Sequence, residues 1–241
     1  MAGIEIINLE KSYQVENRKL PVLTGINLRI PERQITVVLG KSGCGKTTLL
    51  RLTGGLETAD SGEIRYEGSH RTAFVFQEPR LMPWLNVKQN ILFGLRGKEK
   101  KESGARADEI IRTVGLSGFE QAYPAQLSGG MKQRTALARA LAYRPSFIMM
   151  DEPFAALDHF TREQMQRELL RVQKTEHCSI LFVTHSIDEA LLLGNKIVVI
   201  EKGKVKKEHV LEETGERNLL DEKFIGLKRE IISDLNETEK Q

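Results

Sequence analysis

Apolar residues along the chain gather into short runs rather than one long block. Ile4 to Leu9, Ile35 to Leu39, Thr72 to Phe76, Phe147 to Met150, Ile180 to Val183 and Ile197 to Ile200 each read as a strand. Several lack alternation of apolar and polar positions, which predicts strands buried on both faces. Helical periods lie between them: in Thr161 to Thr175, residues Met165, Leu169 and Val172 fall on one face. Strands alternating with helices predict a mainly parallel sheet of the α/β class. From Val87 to Tyr143 the pattern changes to helices joined by loops containing Gly, Ser and Pro, with no convincing strand. A helical lobe inserted into the α/β core is expected there. From about Glu208 the chain is charged, and Leu219, Leu220, Phe224, Ile225 and Leu227 predict a helix with a short cap.

At 241 residues and 40% hydrophobic, the chain is long enough for one α/β domain with a sizeable core and a smaller lobe. Its 36 basic and 33 acidic residues are interspersed, so the net charge of +3 does not mark a nucleic-acid surface. The lysine-rich run Lys98 to Lys101 is expected to be a solvated loop. No amino-terminal signal pattern is present, and no apolar run approaches the roughly 20 residues that cross a bilayer. A membrane role would therefore need a separate partner chain. Cys44 and Cys178 are the only two cysteines, poor material for disulfides, so a reducing, cytoplasmic setting is expected.

Candidate chemistry begins at GKSGCGKTT: Gly40, Lys41, Ser42, Gly43, Cys44, Gly45, Lys46, Thr47 and Thr48. The segment follows the strand ITVVL and opens a helical pattern, the context a phosphate-cradling loop requires. Its glycines let backbone N–H groups close around phosphates, Lys46 would reach the β- and γ-phosphates, and Thr47 would offer its hydroxyl to Mg²⁺. Cys44, at a helix start near Lys46, is expected to have a lowered pKa and to react with thiol reagents. FIMMDEP ends an apolar strand in two carboxylates, where ligands bind in such sheets. Asp151 can join a Mg²⁺ shell and Glu152 can polarise a water, although an acidic pair after a strand also serves as a cap or turn. His185, just past another buried strand, can hydrogen-bond a γ-phosphate or play a purely structural part. Gln77 after TAFVF is a metal-shell amide or a plain strand-end glutamine, and Tyr13 a purine-stacking ring or core. LSGGMKQR, Leu127 to Arg134, opens a helix with a serine and two glycines, a start that attracts an anion although the phosphate loop already holds the first claim on a nucleotide.

Together with AALD, Ala155 to Asp158, these segments resemble the ATP-binding cassette (ABC) ATPases, and the resemblance covers roughly Ile4 to Gly203. It implies a P-loop NTPase fold: a RecA-like parallel core with an antiparallel β edge (1–86 and 144–207), an inserted helical signature subdomain (87–143) and a short helical tail (208–241). In this family two ATPase subunits pack head to tail, each facing its signature helix to the other's ATP. The resemblance thus assigns Leu127, Ser128, Gly129, Gly130 and Gln133 to the partner's nucleotide. It makes Tyr13 the adenine-stacking residue, Lys46 and Thr47 the phosphate and Mg²⁺ residues, Gln77 and Asp151 metal-shell residues, Glu152 the general base, His185 the γ-phosphate sensor and Asp158 a link across the dimer.

Val75 to Leu95, FAALDHFTREQM and THSIDEALLLGNKIVVI look like the ATPases of nitrate, sulfonate, taurine and bicarbonate importers more than those of sugar or amino-acid importers. Two departures are Ser186, where an aspartate usually follows the histidine, and the short approach GSHRT, Gly68 to Thr72. The resemblance implies a peripheral subunit on the cytoplasmic face of the membrane. Its expected partners are a second ATPase subunit, permease subunits and, indirectly, a solute-binding protein, with no nucleic acid. Leu81, Met82 and Trp84, on a loop where two prolines limit helix formation, are the expected permease contact, with lobe core as the other reading. A soluble ABC ATPase of cluster assembly is the alternative function. A small-molecule kinase would leave LSGG and Glu152 without a job.

Overall fold

The computed structural model describes residues 3–68, 71–95, 98–211 and 217–236, without the side chains of 98–103. The elements run β1 (Gly3–Val15), β2 (Arg18–Pro31), β3 (Ile35–Leu39), α1 (Lys46–Thr53), β4 (Ser61–Tyr66), β5 (Thr72–Val75), α2 (Val87–Leu92) and α3 (Lys98–Thr113). A 3₁₀ turn at Pro124–Gln126 follows, then α4 (Gly129–Ala142), β6 (Phe147–Asp151), α5 (His159–Glu176), β7 (Ser179–Thr184), α6 (Ile187–Leu193), β8 (Lys196–Glu201), β9 (Lys204–Val210) and α7 (Glu222–Asn236). The chain divides into two compact units, Met1–His70 with Ser179–Gln241, and Arg71–Cys178.

In the first unit β3 lies between β7 and β8, all parallel, with Val38 opposite Val183 and Val198. All five β3 side chains are buried, which is why ITVVL needs no polar alternation. A separate antiparallel sheet has the order β2-β1-β4. Its members β2 and β4, and the β9 strand, lie outside the apolar runs because much of each faces solvent. The alternation of buried Ile26, Leu28 and Ile30 with exposed Asn27 and Arg29 is the sequence signal that marks β2. The first strand also runs beyond Leu9, bulging near Asn8 (φ 46°), so Tyr13 lies within β1 rather than after it.

The tail helix begins later than its apolar residues imply. An Asn218 side chain accepts from the Leu220 N–H and donates to Asp221, fixing a turn that leaves Leu219 and Leu220 ahead of α7. Phe224 and Ile231 are buried, whereas Leu220 is exposed. Polar contacts join α7 to β9: His209 Nε2 lies 3.2 Å from Asp234 Oδ2, and Lys207 Nζ donates to Glu230 at 2.5 Å. The Lys207 ammonium supplies the positive charge that this carboxylate pair requires.

In the second unit β5 and β6 pair in parallel, and α5 buries Met165, Leu169 and Val172 as its period predicts. A reciprocal capping box starts α2, in which Asn86 accepts from the Gln89 N–H and Gln89 from the Asn86 N–H. The Lys98–Lys101 run is the start of α3 and not a loop, because lysine and glutamate are good helix formers. Ser69 and His70 of GSHRT lie outside the described residues.

Lys202 (φ 46°) and Gly203 (φ 74°) make the tight hairpin between β8 and β9, where both central residues need positive φ. Gly203 donates its N–H to Cys44 O (3.3 Å) and accepts from the Thr24 N–H (2.9 Å). A Cβ there would lie 2.3 Å from Val22 O. Gly203→Ala is therefore expected to destabilise the chain by about 2 kcal/mol or more, combining left-handed strain with a backbone overlap. A urea midpoint equal to that of the parent would contradict this.

Candidate active site

The phosphate-loop segment connects β3 to α1 within the first unit. Its helix cap is Gly45, at φ 104°, so no side chain competes for the first-turn N–H groups. A Cβ at Gly45 would meet Leu23 Cδ2 at 2.7 Å and Val22 O at 2.9 Å, and one at Gly40 would meet Ile200 O at 2.4 Å. Backbone alone fits this cradle. Lys46 is 5% exposed, and its ammonium donates to Gly40 O (2.9 Å) and Lys41 O (3.0 Å). It is thus held against the loop whose N–H groups suit an anion. Thr47 and Thr48 are half-buried, while Lys41, Ser42 and Gly43 are exposed.

Tyr13 is half-buried, with Lys11 Nζ 5.5 Å from its ring centre. Its hydroxyl donates to Glu57 and is hydrogen-bonded to Thr48, and burial followed by the Glu57 bond pushes its pKa up. His185 is exposed at the end of β7, where the pairing of Leu39 with Thr184 sets it beside the start of the phosphate loop. The residues flanking it are tied down. Ser186 caps α6 by accepting from the Glu189 N–H (3.3 Å), while its own N–H donates to Thr184 Oγ1 (3.0 Å). Thr184 in turn donates to the buried Glu189 carboxylate at 2.6 Å. The arrangement is a capping box with the threonine hydroxyl inserted between its two members. A serine here does the capping that an aspartate would also do.

The second unit holds the other candidates. Asp151 ends β6, and Glu152 follows at φ 43°, a left-handed conformation that costs a non-glycine residue about 1–3 kcal/mol. Asp158 caps α5 by accepting from Thr161, whose hydrogen bonds hold its carboxyl below the usual range. Ser128 caps α4, accepting from the Met131 N–H at 3.3 Å, and both Ser128 and Gly129 are exposed. Gly130 is buried, and a Cβ on it would come 2.5 Å from Thr161 Cγ2, so the signature start and the Asp158 turn pack side by side. Leu127 is buried. Gln133, expected to face a partner's nucleotide, is instead buried and donates to Phe76 O at 3.3 Å, beside Gln77. Its position one turn into α4 turns it toward its own unit.

The ABC transporter family matches residues 23–155. An uncharacterised ABC transporter ATP-binding protein of Methanocaldococcus jannaschii is 40% identical over 97% of this chain and 91% of its own. The aliphatic sulfonates import ATP-binding protein SsuB of Bacillus subtilis is 40% identical over 95% of this chain and 93% of its own. The chain belongs to the ABC transporter family. An ATP-binding cassette solved as a dimer in a post-hydrolysis state with ADP and Pi has a TM-score of 0.74 and 29% identity, covering 87% of this chain and 99% of that one. A second solved structure, CbiO1 from Clostridium perfringens, part of an ABC transporter complex, has a TM-score of 0.77 and 25% identity, covering 98% of this chain and 94% of that one. The fold is that of a P-loop ABC cassette, and the chain is an ATPase of that family.

Within this ABC ATPase the residues Tyr13, Gly40 to Thr48 and His185 fall in the first unit, and Gln77, Leu81 to Trp84, the signature, Asp151, Glu152 and Asp158 in the second. Sequence reasoning passed over Gly203, Thr184 and Glu189, which support the site through backbone contacts and a buried hydroxyl. The S-x-x-E spacing from Ser186 to Glu189 is the one signal that could have exposed the last of these.

Cys44 departs from expectation. Burial, the larger effect, pushes its thiol pKa up, and the Lys46 charge that lowers it does not prevail. Cys178 is also buried, its thiol pushed up to about 12. Both groups stay as thiols at neutral pH and form thiolate only in more alkaline solution. Native protein at pH 7.5 is therefore expected to react slowly with iodoacetamide, and Ellman titration to reach two thiols per chain only in denaturant. A rapidly alkylated native thiol would refute this. For the relay, Thr184→Val is expected to cost about 1–3 kcal/mol, because it removes the hydroxyl that donates to the buried Glu189 carboxylate and accepts from the Ser186 N–H, and Thr184→Ser to restore most of it. Chemical denaturation of the two variants checks the order.

Proposed function

We propose that the chain is the ATP-hydrolysing subunit of an importer, working as a pair around two ATP molecules on the cytoplasmic face of a membrane permease. The carrying observation is the start of α4, where Ser128 and Gly129 are exposed at a helix N-terminus. Such a start suits a phosphate brought by another molecule, here the ATP of a second copy. Among the described residues no helix is long and apolar enough to cross a membrane, so transport requires a separate permease. The similarity to SsuB, an aliphatic sulfonates import ATP-binding protein, supports a sulfonate as the solute, within the nitrate, sulfonate, taurine and bicarbonate group that the sequence resembles. A solute-binding protein would deliver it to the permease.

In this reading Tyr13 offers its ring face to adenine, and the Gly40–Thr48 N–H groups with Lys46 take the phosphates. Lys46 exchanges its two carbonyl partners for phosphate oxygens. Thr47, Gln77 and Asp151 supply hard oxygen donors of the type Mg²⁺ prefers, and the bound ion would neutralise phosphate charge. Glu152 takes the proton of the attacking water, and His185 holds the γ-phosphate side of that water's path. Asp158, already fixed as a helix cap, would meet the partner subunit. Trp84 is 67% exposed and thus available as the anchor for a permease helix, with Leu81 and Met82 half-buried beside it.

Glu152→Gln keeps the side-chain shape and removes the base. Turnover is expected to fall by roughly 10²–10⁴-fold while ATP binding persists and a dimer appears on sizing columns with MgATP. Parental turnover in that variant would remove the assignment. In the parent, specific ATPase activity should rise with protein concentration, and a flat profile down to dilutions where the protein is monomeric would exclude the shared site.

A further inference from the structure

We infer that Arg139 and Asn90 are positioning residues that fasten the loop carrying Gln77 and Trp84 to α4 and α2, so that a movement of the signature helix is delivered to Trp84. This rests on the reading of Trp84 as the permease anchor.

The loop from Phe76 to Asn86 has no regular backbone ladder, and Pro79 and Pro83 remove two of its donors. Several of its carbonyls accept from side chains. Gln133 on α4 donates to Phe76 O at 3.3 Å. Six residues further along α4, Arg139 donates through one guanidinium nitrogen to Pro79 O and through the other to Arg80 O, both at 2.8 Å. A planar guanidinium presents a separate nitrogen to each of two successive carbonyls in a fixed geometry, which the single nitrogen of a lysine does not reproduce. Arg80 is bent into φ 46°, with its guanidinium 4.0 Å from the Phe76 ring centre.

Asn90 holds the other end. Its side chain, with no exposed surface, accepts from the Met82 N–H (2.8 Å) and donates to Met82 O (3.1 Å), Leu85 O (2.8 Å) and Asn86 O (3.1 Å). The turn from Met82 to Leu85, which presents Trp84, is thus clamped across its base by one amide. Arg139 lies eleven residues along the helix from Ser128, a rise of about 16 Å at 1.5 Å per residue. Within one helix, α4 therefore exposes Ser128 at its start and grips the Trp84 loop near its end. Coupling of this kind needs a continuous physical connection, and these bonds supply one.

Trp84 is the chain's only tryptophan, so its fluorescence reads the loop directly. Time-resolved anisotropy and acrylamide quenching would be compared in the parent, Arg139→Lys, Arg139→Met, Asn90→Asp and Asn90→Leu. Arg139→Lys keeps the charge but loses the fork, and Asn90→Asp keeps the acceptor but loses the donors. Both conservative variants are expected to retain cooperative melting and yet to show at least a twofold larger amplitude of nanosecond Trp84 motion. In a Glu152→Gln background, MgATP is expected to change the Trp84 signal, and Arg139→Lys to reduce that change at least by half. Parental anisotropy in all folded variants, or an undiminished MgATP response in Arg139→Lys, would overturn the inference. Assembly of Trp84→Ala with the permease tests the docking reading separately, since it does not depend on the clamp.

Discussion

Close approach of backbone to backbone around the phosphate loop is the constraint on which the first unit is organised. Ile200 O lies where a Cβ of Gly40 would stand, Val22 O where those of Gly45 and Gly203 would. Main-chain atoms of β2 and β8 therefore close on the loop, and the strands around it limit its shape. The Lys46 ammonium completes this by holding Gly40 O and Lys41 O together. A loop so tightly framed has few alternatives to collapse into, the preorganisation that the proposed binding of phosphate would call on.

The second unit uses the opposite device. There, polar side chains from helices bind backbone groups of irregular segments: Asn90, Gln133 and Arg139 on the loop after β5, Arg134 on the carbonyl of Val114, and Asp158 and Ser128 on their own helix starts. Buried carbonyls without a ladder must find donors somewhere. Such side chains let a connecting segment keep an unusual shape, as at the left-handed Arg80, whose carbonyl Arg139 holds.

Much of the architecture was legible because burial on both faces leaves a plain mark. β3, β7 and β8 are apolar runs bounded by polar residues, and the glycine-rich and serine–glycine segments fall at a strand end and a helix start as their composition requires. β4 and β9 were not legible, because strands with one wet face and several lysines or glutamates carry little apolar signal. The lysine-rich start of α3 was misread for a similar reason, since charge marks exposure and not the absence of a helix. Cys44 was misjudged because neighbouring charge is visible in sequence and burial is not. The grips of Arg139 and Asn90 also lay beyond sequence, because their partners are carbonyls, which every residue possesses.

The β9 strand, last in its sheet, has a consequence for the protein as a material. A free sheet edge presents a row of unpaired main-chain groups on which another chain can template itself. Here the strand reads KVKKEHV, and while Lys207 and His209 are drawn to the tail helix, Lys204 is left to solvent. An incoming strand would have to bury those ammonium groups or displace that helix. The tail helix and the edge lysines thus oppose fibril-like stacking of one copy on another, so residues that seem incidental to catalysis keep this edge from templating a second chain.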